Sequence, residues 1–378
     1  MSKYYDIHLL AFVHPDILKS QEEVEESRRE LSRFCNSIEY FELWPKKSAF
    51  HRNVALLMGT FIRYPFSVLA HRSKAFQRRS KQIVESGEID VIHFDTIGLA
   101  QFYSKEWQCP AVLTHHNIES QLISRRAGVE KNKFKKFYLQ AQTRRLQRYE
   151  SQKSPDFSIN IMMSEIDATI LKEEASAAVT AIIPNGVDTE YFTPRRGEEK
   201  TALIYTGGMN MYANKDAILY FIDQIWPLVK AKSPQCIFYA VGQDPPEEMH
   251  RIAEKDPSVR VTGYVDDVRP YIARSMVYVV PLRVGGGTRL KVLDAMAQGK
   301  AIVSTSIGCE GIDVSPGDNI VIADSPALFA EEVLYLLKNI DRCHEIGNAA
   351  RAMVTTRYSW EIIGKQINQL YNTLILNY

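Results

Sequence analysis

Short apolar segments alternate with longer amphipathic segments along the whole chain. Up to Pro184 the apolar segments are DIHLLAFV, SIEYFEL, IDVIHFD, PAVLTHH, FSINIMM and VTAIIPN. Beyond Pro184 they are ALIYTGG, CIFYAVG, VRVTGYV, MVYVVPL and AIVSTS. Runs of this kind, rich in β-branched residues and separated by stretches of helix length, are typical of repeated βα units. The pattern therefore predicts an α/β protein with parallel sheets.

One segment between the two sets of strands breaks this alternation. It reads NGVDTEYFTPRRGEEK, and its glycine, proline and charged residues are typical of a linker. A chain of 378 residues is also long enough for two α/β domains that each bury a core. We predict two Rossmann-like, doubly wound domains over residues 1–188 and 189–358. Residues 359–378 are predicted to form a helix whose broad apolar face needs a partner.

Composition excludes several other classes of protein. The net charge is +1, with 45% hydrophobic and 24% charged residues, so nothing indicates nucleic-acid binding. No apolar run approaches the roughly 18 residues of a membrane span, and no secretory pattern opens the chain, so a cytoplasmic protein is expected. The cysteines are odd in number and form no CxxC pair, which argues against disulfides and zinc. They are Cys35, Cys109, Cys236, Cys309 and Cys343.

The stretch YVVPLRVGGGTRLKVLDAMAQG carries the strongest chemical signal. A predicted strand over residues 276–281 leads into three glycines and then into a helix predicted from Thr288 to about Gly299. Glycines let the backbone approach a ligand, and the free N–H groups of a first helical turn suit a diphosphate. A tight turn with no ligand would explain the glycines equally well in isolation. The three glycines are Gly285, Gly286 and Gly287.

Charged residues on the same helix strengthen the prediction of an anion site. Arg289 and Lys291 would neutralise a diphosphate, and the Asp294 carboxylate could accept hydrogen bonds from two ribose hydroxyls. The alternative is a surface ion pair between Lys291 and Asp294. The apolar positions predicted to face the sheet are Leu290, Leu293 and Ala297.

Further glycines follow other strands of the same predicted domain. Gly207 and Gly208 follow ALIYT, and Gly242 and Gly263 end two later strands. Ligands of open α/β sheets bind outside the carboxyl ends of the strands, so these loops are expected to converge. The remaining residues assigned to donor binding in these loops are Asn214, Tyr264 and Val265.

Four segments together resemble the retaining GT-B glycosyltransferases of family 4. They are PNGVDTEYF, YTGGMNMYANKDAILYF, VTGYVDDVRPYI and PLRVGGGTRLKVLDAMAQGKAIVSTSIGCEGI, with weaker matches at HHNIESQLISRRA and MMSEIDATIL. The resemblance implies a nucleotide-sugar donor in the C-terminal domain and transfer in the interdomain cleft with retention. It also implies a last helix that returns to the N-terminal domain, and no bound metal or other cofactor. Asp266 and Asp267 could suggest the Asp-x-Asp metal site of some glycosyltransferases, but they lie just past a strand and before VRPYI, where helix capping explains an aspartate.

The chain departs from the family pattern at two places. The family commonly shows a Glu-x7-Glu motif whose second carboxylate holds the ribose. Asp294 occupies that second position, whereas Gly286 occupies the first, so one carboxylate is absent. The family's basic pair after the first loop of the C-terminal domain is also incomplete, with only Lys215 nearby. Arg289 and Lys291 are therefore predicted to take its place.

A histidine in HHNIE matches the family position that faces the donor sugar, and we assign it to His116. The alternative is a histidine at a strand end that binds a local carbonyl. The resemblance as a whole predicts a glycosyltransferase of cell-envelope or exopolysaccharide synthesis that acts on a glycan or lipid-linked acceptor. The alternatives are an impaired nucleotide-sugar-binding protein and a nucleotide-sugar epimerase of the same architecture.

The N-terminal part of the chain carries two further expectations. HLLAFV followed by an acidic helix resembles the second βα unit of the family, and no glycine precedes Gly59. Roughly one βα unit is therefore expected to be missing before it. Between Trp44 and Val84 nine basic residues meet no acidic one, which predicts a peripheral contact with anionic membrane lipid, or else a solvated helical face. The nine are Lys46, Lys47, Arg52, Arg63, Arg72, Lys74, Arg78, Arg79 and Lys81.

Overall fold

The structure is a computed structural model that describes residues 1–14, 18, 20–46, 64–195, 201–285 and 289–378. The chain divides into two compact units. Unit 1 comprises Met1–Ile183 together with Gly364–Tyr378, and unit 2 comprises Pro184–Ile363. All five cysteines are free thiols. No helix within the described ranges has both the length and the apolarity that crossing a membrane requires.

Both units are built on parallel strands that are followed by helices, which confirms the predicted fold class. In chain order the helices are α1 (Gln21–Leu31), α2 (Phe66–Ala70), α3 (Lys74–Glu85), α4 (Glu119–Val129), α5 (Lys133–Lys153), α6 (Glu165–Glu174), α7 (Tyr212–Tyr220), α8 (Trp226–Lys232), α9 (Glu247–Lys255), α10 (Arg269–Arg274), α11 (Leu290–Ala297), α12 (Pro326–Lys338), α13 (Ile340–Arg357) and α14 (Trp360–Asn377). A short π-helical segment, Phe221–Ile225, joins α7 to α8.

Unit 1 holds its strands in two separate parallel sheets. One sheet pairs β1 with β2, and the other has the order β3-β4-β5-β6. In the usual doubly wound order the first strand lies beside both the second and the fourth. No strand in the described ranges pairs with both β1 and β3, and the expected absence of a βα unit stays a prediction. The strands are β1 (His8–Val13), β2 (Ser37–Glu42), β3 (Ile92–Phe94), β4 (Ala111–His115), β5 (Ile159–Met162) and β6 (Thr180–Ile182).

The last helix, α14, packs within unit 1 from Gly364 onward. The Tyr371 hydroxyl is hydrogen-bonded to Nδ1 of His93 on β3, and the Tyr371 ring lies 5.5 Å from the ring of Tyr5. At the chain end, the Tyr378 hydroxyl donates to the Trp107 carbonyl at 3.0 Å. Tyr371 and Tyr378 therefore attach the C-terminal part of this helix to unit 1.

Unit 2 contains one six-stranded parallel sheet of order β12-β11-β10-β7-β8-β9. The central strands β7, β10 and β11 are buried at every position, as expected for continuous apolar runs covered by helices on both faces. The pattern missed β12, whose two residues are too few to produce a signal. The strands are β7 (Ala202–Thr206), β8 (Ile237–Val241), β9 (Val259–Gly263), β10 (Val277–Val280), β11 (Ala301–Ser304) and β12 (Val321–Ile322).

Candidate functional site

Three loops of unit 2 leave the same edge of its sheet. Strands β10, β7 and β8 are parallel neighbours, so their carboxyl ends lie side by side. Gly207 follows β7 and donates its N–H to the Val241 carbonyl at 2.9 Å, while Gly242 follows β8 and donates to the Gly263 carbonyl at 3.1 Å. Gly285 lies in the loop after β10. The glycine loops assigned to the donor thus meet at one edge.

Lys291, on the first turn of α11, extends its side chain to the Gly207 turn. Its Nζ donates to Asn214 Oδ1 at 2.7 Å and to the Tyr205 hydroxyl at 2.9 Å. The Tyr205 hydroxyl donates in turn to Asn214 Oδ1 at 2.8 Å, and Asn214 Nδ2 donates to the Gly208 carbonyl at 2.8 Å. We call Tyr205, Gly207, Asn214 and Lys291 the lysine cluster. It joins β7, α7 and α11 around one tight turn.

The charge of Lys291 is poorly compensated in this cluster. Burial, with a smaller contribution from neighbouring Arg289, lowers the pKa of its ammonium group to about 7. An ammonium group has three donors, and described residues accept two of them. No carboxylate in the described part of the chain pairs with it. A buried cation with a donor to spare is stabilised by an anionic ligand.

The turn above Lys291 accepts only glycine at two positions. Gly207 has φ 143°, and a Cβ there would come within 2.6 Å of Lys291 Nζ. Gly242 has φ 152°, and a Cβ there would overlap the Gly207 carbonyl. Both φ values are ones that L side chains rarely adopt. The absence of these two side chains lets the β7 and β8 loops touch and keeps the space over the lysine cluster open.

The loop after β10 brings Gly285 and Arg289 together. Gly285 has φ 136°, and a Cβ on it would come within 2.5 Å of Arg289 Nη2. Arg289 directly precedes α11, so its positive charge lies at the end of the helix where N–H groups are free. Gly286, Gly287 and Thr288, which were also assigned to the donor, lie outside the described residues.

Asp294 lies one turn beyond Lys291 on α11. Burial raises the pKa of its carboxyl group to about 7, and no described residue is hydrogen-bonded or ion-paired to it. The alternative of a surface ion pair with Lys291 does not agree with the structure, because the ammonium is bound by Tyr205 and Asn214. The prediction that Leu290 faces the sheet is wrong, since 49% of its surface is exposed.

The remaining donor-binding candidates lie in the loop after β9. Tyr264 is 71% exposed, and Val265 packs against the core of unit 2. Further along, the Asp267 carboxylate accepts from the Arg269 backbone N–H at 2.9 Å and from its Nε at 2.8 Å. Asp267 therefore binds the first residue of α10, but the N-cap position is Val268 and has no side-chain cap, so the interpretation of Asp267 as the capping residue is not confirmed. The exposed Tyr264 ring leaves an aromatic face available beside the glycine loops.

Two family models match the chain in succession. "Glycosyltransferase Family 4" matches residues 28–191, and "Glycosyl transferases group 1" matches residues 200–339. The structure of Anabaena Alr3699/HepE in complex with UDP superimposes with a TM-score of 0.66 at 15% identity, over 98% of this chain and 100% of that one. The chain belongs to the GT-B glycosyltransferases. The order of the two matches follows the order of the two units.

Curated relatives of this glycosyltransferase are similar over part of their length. The phosphatidyl-myo-inositol mannosyltransferase of Mycobacterium tuberculosis is 27% identical over 218 residues, which are 53% of this chain and 56% of that protein. An uncharacterized 44.6 kDa protein in the cps region of Klebsiella pneumoniae is 26% identical over 163 residues, 41% of this chain and 42% of that protein. The chain thus matches about half of the length of these relatives.

His116 follows β4 in unit 1 of the glycosyltransferase. Its Nε2 lies 3.1 Å from Asp95 Oδ1, and this hydrogen bond raises the pKa of the imidazole. The partner is a side-chain carboxylate, whereas the alternative explanation required a local carbonyl. Neighbouring His115 is buried against Asn160 Oδ1 at 3.1 Å, and burial lowers its pKa to about 4. Of the two histidines, only His116 presents an exposed ring.

A buried carboxyl group supports the loop that carries His116. Glu150 on α5 is fully buried, and its Oε1 accepts from the Ser120 N–H at the start of α4 at 3.3 Å. Helix α4 has no side-chain cap of its own at Ile118, so Glu150 supplies it. Burial, with a smaller contribution from Glu119, raises the pKa of Glu150 to about 8. The group therefore holds its proton at neutral pH.

We expect Glu150→Gln to increase stability relative to the native chain as the pH rises. The pKa of Glu150 is about 8 in the folded state against an ordinary value of 4.5, so folding favours its proton. Its contribution to stability is complete below pH 4.5 and is lost as the pH rises through 8, by about 1.4 kcal/mol per pH unit at most. Urea unfolding of both proteins across this range measures the difference, and parallel pH profiles would contradict the assignment.

The sequence patterns missed three residues that shape these sites. Tyr205 reads as an ordinary core residue of ALIYTGG, although its hydroxyl holds Lys291. Asp95 lies 21 residues before His116, and Glu150 lies in a helix rich in cations, so no local spacing points to either. Of the three, only Tyr205 could have been found from the sequence, because it lies two residues before a glycine pair at a strand end.

Proposed function

We propose that this protein transfers a sugar from a nucleoside diphosphate sugar to a glycan or lipid-linked acceptor, with retention of anomeric configuration, in cell-envelope or exopolysaccharide synthesis. The main support for this proposal is the environment of Lys291. The buried ammonium of Lys291, with a donor to spare, lies under a glycine turn and beside the start of α11. This arrangement combines a cation, close backbone approach and helix N–H groups, which a diphosphate requires.

The proposed chemistry is electrostatic. As the bond between sugar and diphosphate breaks, negative charge develops on the departing diphosphate. Lys291, Arg289 and the N–H groups at the start of α11 would stabilise that charge with groups already in place. Asp294, deprotonated, would hold the ribose hydroxyls. His116 stays a predicted catalytic residue, and no metal takes part in the proposed reaction.

The acceptor class is supported by the relatives. The Mycobacterium tuberculosis relative is named for transfer of mannose to phosphatidyl-myo-inositol, and the Klebsiella pneumoniae relative is named for the cps region. We extend from these names only the class of acceptor, which is a glycan or a lipid-linked molecule. Three of the nine cations in the basic run predicted to contact lipid, Lys47, Arg52 and Arg63, fall on residues 47–63, which lie outside the described residues.

A donor panel separates this proposal from its two alternatives. Thermal unfolding with UDP-, GDP- and ADP-sugars identifies the donor, because a ligand at 100 times its Kd stabilises the folded state by about 2.7 kcal/mol. Nucleotide release is then measured with and without an acceptor glycolipid. A transferase releases nucleotide faster with the acceptor, an epimerase converts the donor without one, and an impaired binding protein does neither. If no nucleotide sugar raises the unfolding temperature, the donor site is wrong.

We expect donor affinity to be greatest near pH 7 and to fall on both sides. Burial places the pKa of Lys291 and of Asp294 at about 7 each. Above that pH Lys291 loses the proton that a diphosphate favours, and below it Asp294 gains a proton and no longer accepts from ribose hydroxyls. Calorimetric titration across about pH 6 to 8 measures the profile. Asp294→Asn should abolish the fall in donor affinity below pH 7 and keep the fall above it. If the donor affinity of the native chain does not change with pH, the roles of both Lys291 and Asp294 are contradicted.

A further inference from the structure

The connection between α4 and α5 in unit 1 presents two phenylalanines to solvent. Phe134 is 89% exposed and Phe137 is 73% exposed, in the first turns of α5. Their spacing of three residues places them on the same side of the helix. Val129, at the end of α4, is also exposed, at 43%. Large apolar side chains grouped in this way mark a surface that is covered by a partner.

Cations surround these phenylalanines. Residues 125–137 read RRAGVEKNKFKKF, with six cationic residues and one carboxylate. The carboxylate, Glu130, is paired with Lys135 at 2.8 Å. The exposed face of α5 continues through Arg144 and Arg148, which share a helical stripe with Phe137. We call residues 125–137 the α4–α5 tip.

The tip is held in one conformation by local hydrogen bonds. Asn132 caps α5, since its Oδ1 accepts from the Lys135 N–H at 3.1 Å. The Asn132 N–H donates to Glu130 Oε1 at 3.0 Å, so the turn before the helix is also fixed. Helices α4 and α5 pack against each other along their length. The two phenylalanines are therefore presented by an ordered helix end, at little further entropic cost on binding.

We propose that the α4–α5 tip docks this protein on an anionic lipid bilayer, with Phe134 and Phe137 inserted at the headgroup boundary and the lysines on lipid phosphates. Phenylalanines next to lysines are typical of helices that lie at membrane surfaces. Lysine is depleted from protein–protein interfaces, which disfavours a protein partner of ordinary composition. The positive charge of the tip is complementary to the negative charge of anionic lipid, which we therefore infer to be the partner. The inference rests on the proposed function for its purpose, because lipid-linked acceptors lie in the membrane.

Two cations of the basic run before Val84 are paired with carboxylates in its described part, while Arg72, Lys74 and Arg78 have no ion-pair partner among the described residues. Arg79 is paired with Glu39 at 2.6 Å, and Lys81 lies 3.5 Å from Glu85. Lys131, Lys133 and Lys136 of the tip, in contrast, have no ion-pair partner among the residues that the structure describes. Unpaired cations are attracted to anionic lipid, and the exposed aromatic rings beside them add apolar contact with the bilayer. Cations that are already paired with carboxylates contribute little to membrane affinity.

Co-sedimentation of the full chain with lipid vesicles tests the proposal without donor or acceptor. We expect binding to vesicles of equal parts phosphatidylcholine and phosphatidylglycerol, and little binding to phosphatidylcholine alone. The double variant Phe134→Ser, Phe137→Ser should lose about tenfold or more in lipid affinity. The triple variant Lys131→Gln, Lys133→Gln, Lys136→Gln should lose about fivefold in affinity per lysine removed, and its binding should depend less on salt than that of the native chain.

Two matched controls keep the result specific. Phe34→Ser removes an exposed phenylalanine elsewhere in unit 1, and Lys74→Gln with Lys81→Gln removes two cations of the basic run. Both should sediment like the native chain, and thermal unfolding should be unchanged in all variants. Equal binding by the tip variants and the native chain overturns the proposal, as does absence of lipid binding at low salt. A change of oligomeric state in the phenylalanine variant would also overturn it. Transfer to a soluble acceptor remains measurable in every case.

Discussion

Replacing Lys291 by methionine should weaken donor binding about 10- to 100-fold and reduce the rate of transfer by about 100-fold or more. Methionine keeps most of the volume of the buried side chain while it removes the charge and the donors. The loss in binding is that of one charge-assisted hydrogen bond, and the larger loss in rate arises because the diphosphate gains charge as it leaves. Titration with the donor and initial-rate measurement of nucleotide release report the two effects separately.

Lys300 is the matched control for this variant. It is also a buried lysine of unit 2, with its pKa lowered by burial to about 8, but its Nζ donates to the carbonyls of Ala273 and Ser275, each at 2.7 Å. It precedes β11, at the opposite edge of the sheet from the glycine loops. Lys300→Met should lower stability and leave donor affinity unchanged. If both variants bind donor equally well, Lys291 does not hold the diphosphate.

Replacing Gly242 by alanine should lower the free energy of unfolding by about 3 kcal/mol and abolish donor binding. The new methyl group would overlap the Gly207 carbonyl, and neither backbone segment can yield without breaking the contact between the β7 and β8 loops. The φ of 152° adds strain for any side chain. Urea unfolding and donor titration of the same preparation measure both consequences.

Gly263→Ala is a control that distinguishes the effect of backbone strain from the effect of steric overlap at Gly242. Gly263 also has a positive φ, 70°, but a Cβ there would have nothing within 4 Å. This control should cost about 1 kcal/mol and retain donor binding. Equal stability of the two alanine variants would show that the close approach at Gly242 has no energetic consequence, and the proposed role of the glycine turn would then be wrong.

The sequence predicts the architecture well because the central strands of its sheets are buried at every position. Segments such as ALIYT and VYVV are continuous apolar runs between helix-length stretches, and each became a strand of a parallel sheet. Strand β12 could not be predicted because two residues are too few to show a pattern of hydrophobic positions. Leu290 was misassigned because helix α11 begins only at that residue, so its side chain lies at the exposed end instead of on the face toward the sheet.

The candidate site could be located from the sequence but its energetics could not. The glycine loops and the charges of Arg289, Lys291 and Asp294 can be recognised directly in the sequence. That Lys291 reaches back to Tyr205 and Asn214 depends on α11 and α7 converging on β7, which no local pattern encodes. The same holds for the pKa of about 7 at both Lys291 and Asp294, since burial is a property of the folded unit.

We propose that unit 2 binds the donor diphosphate at the lysine cluster. Crystals of the protein grown with the nucleoside diphosphate selected by the donor panel test it most directly. We expect density for the diphosphate between the Gly207 turn and the start of α11, within hydrogen-bonding distance of Lys291 Nζ, with the ribose at Asp294. Nucleotide bound at any other place in the chain, or a diphosphate that makes no contact with Lys291, would contradict it.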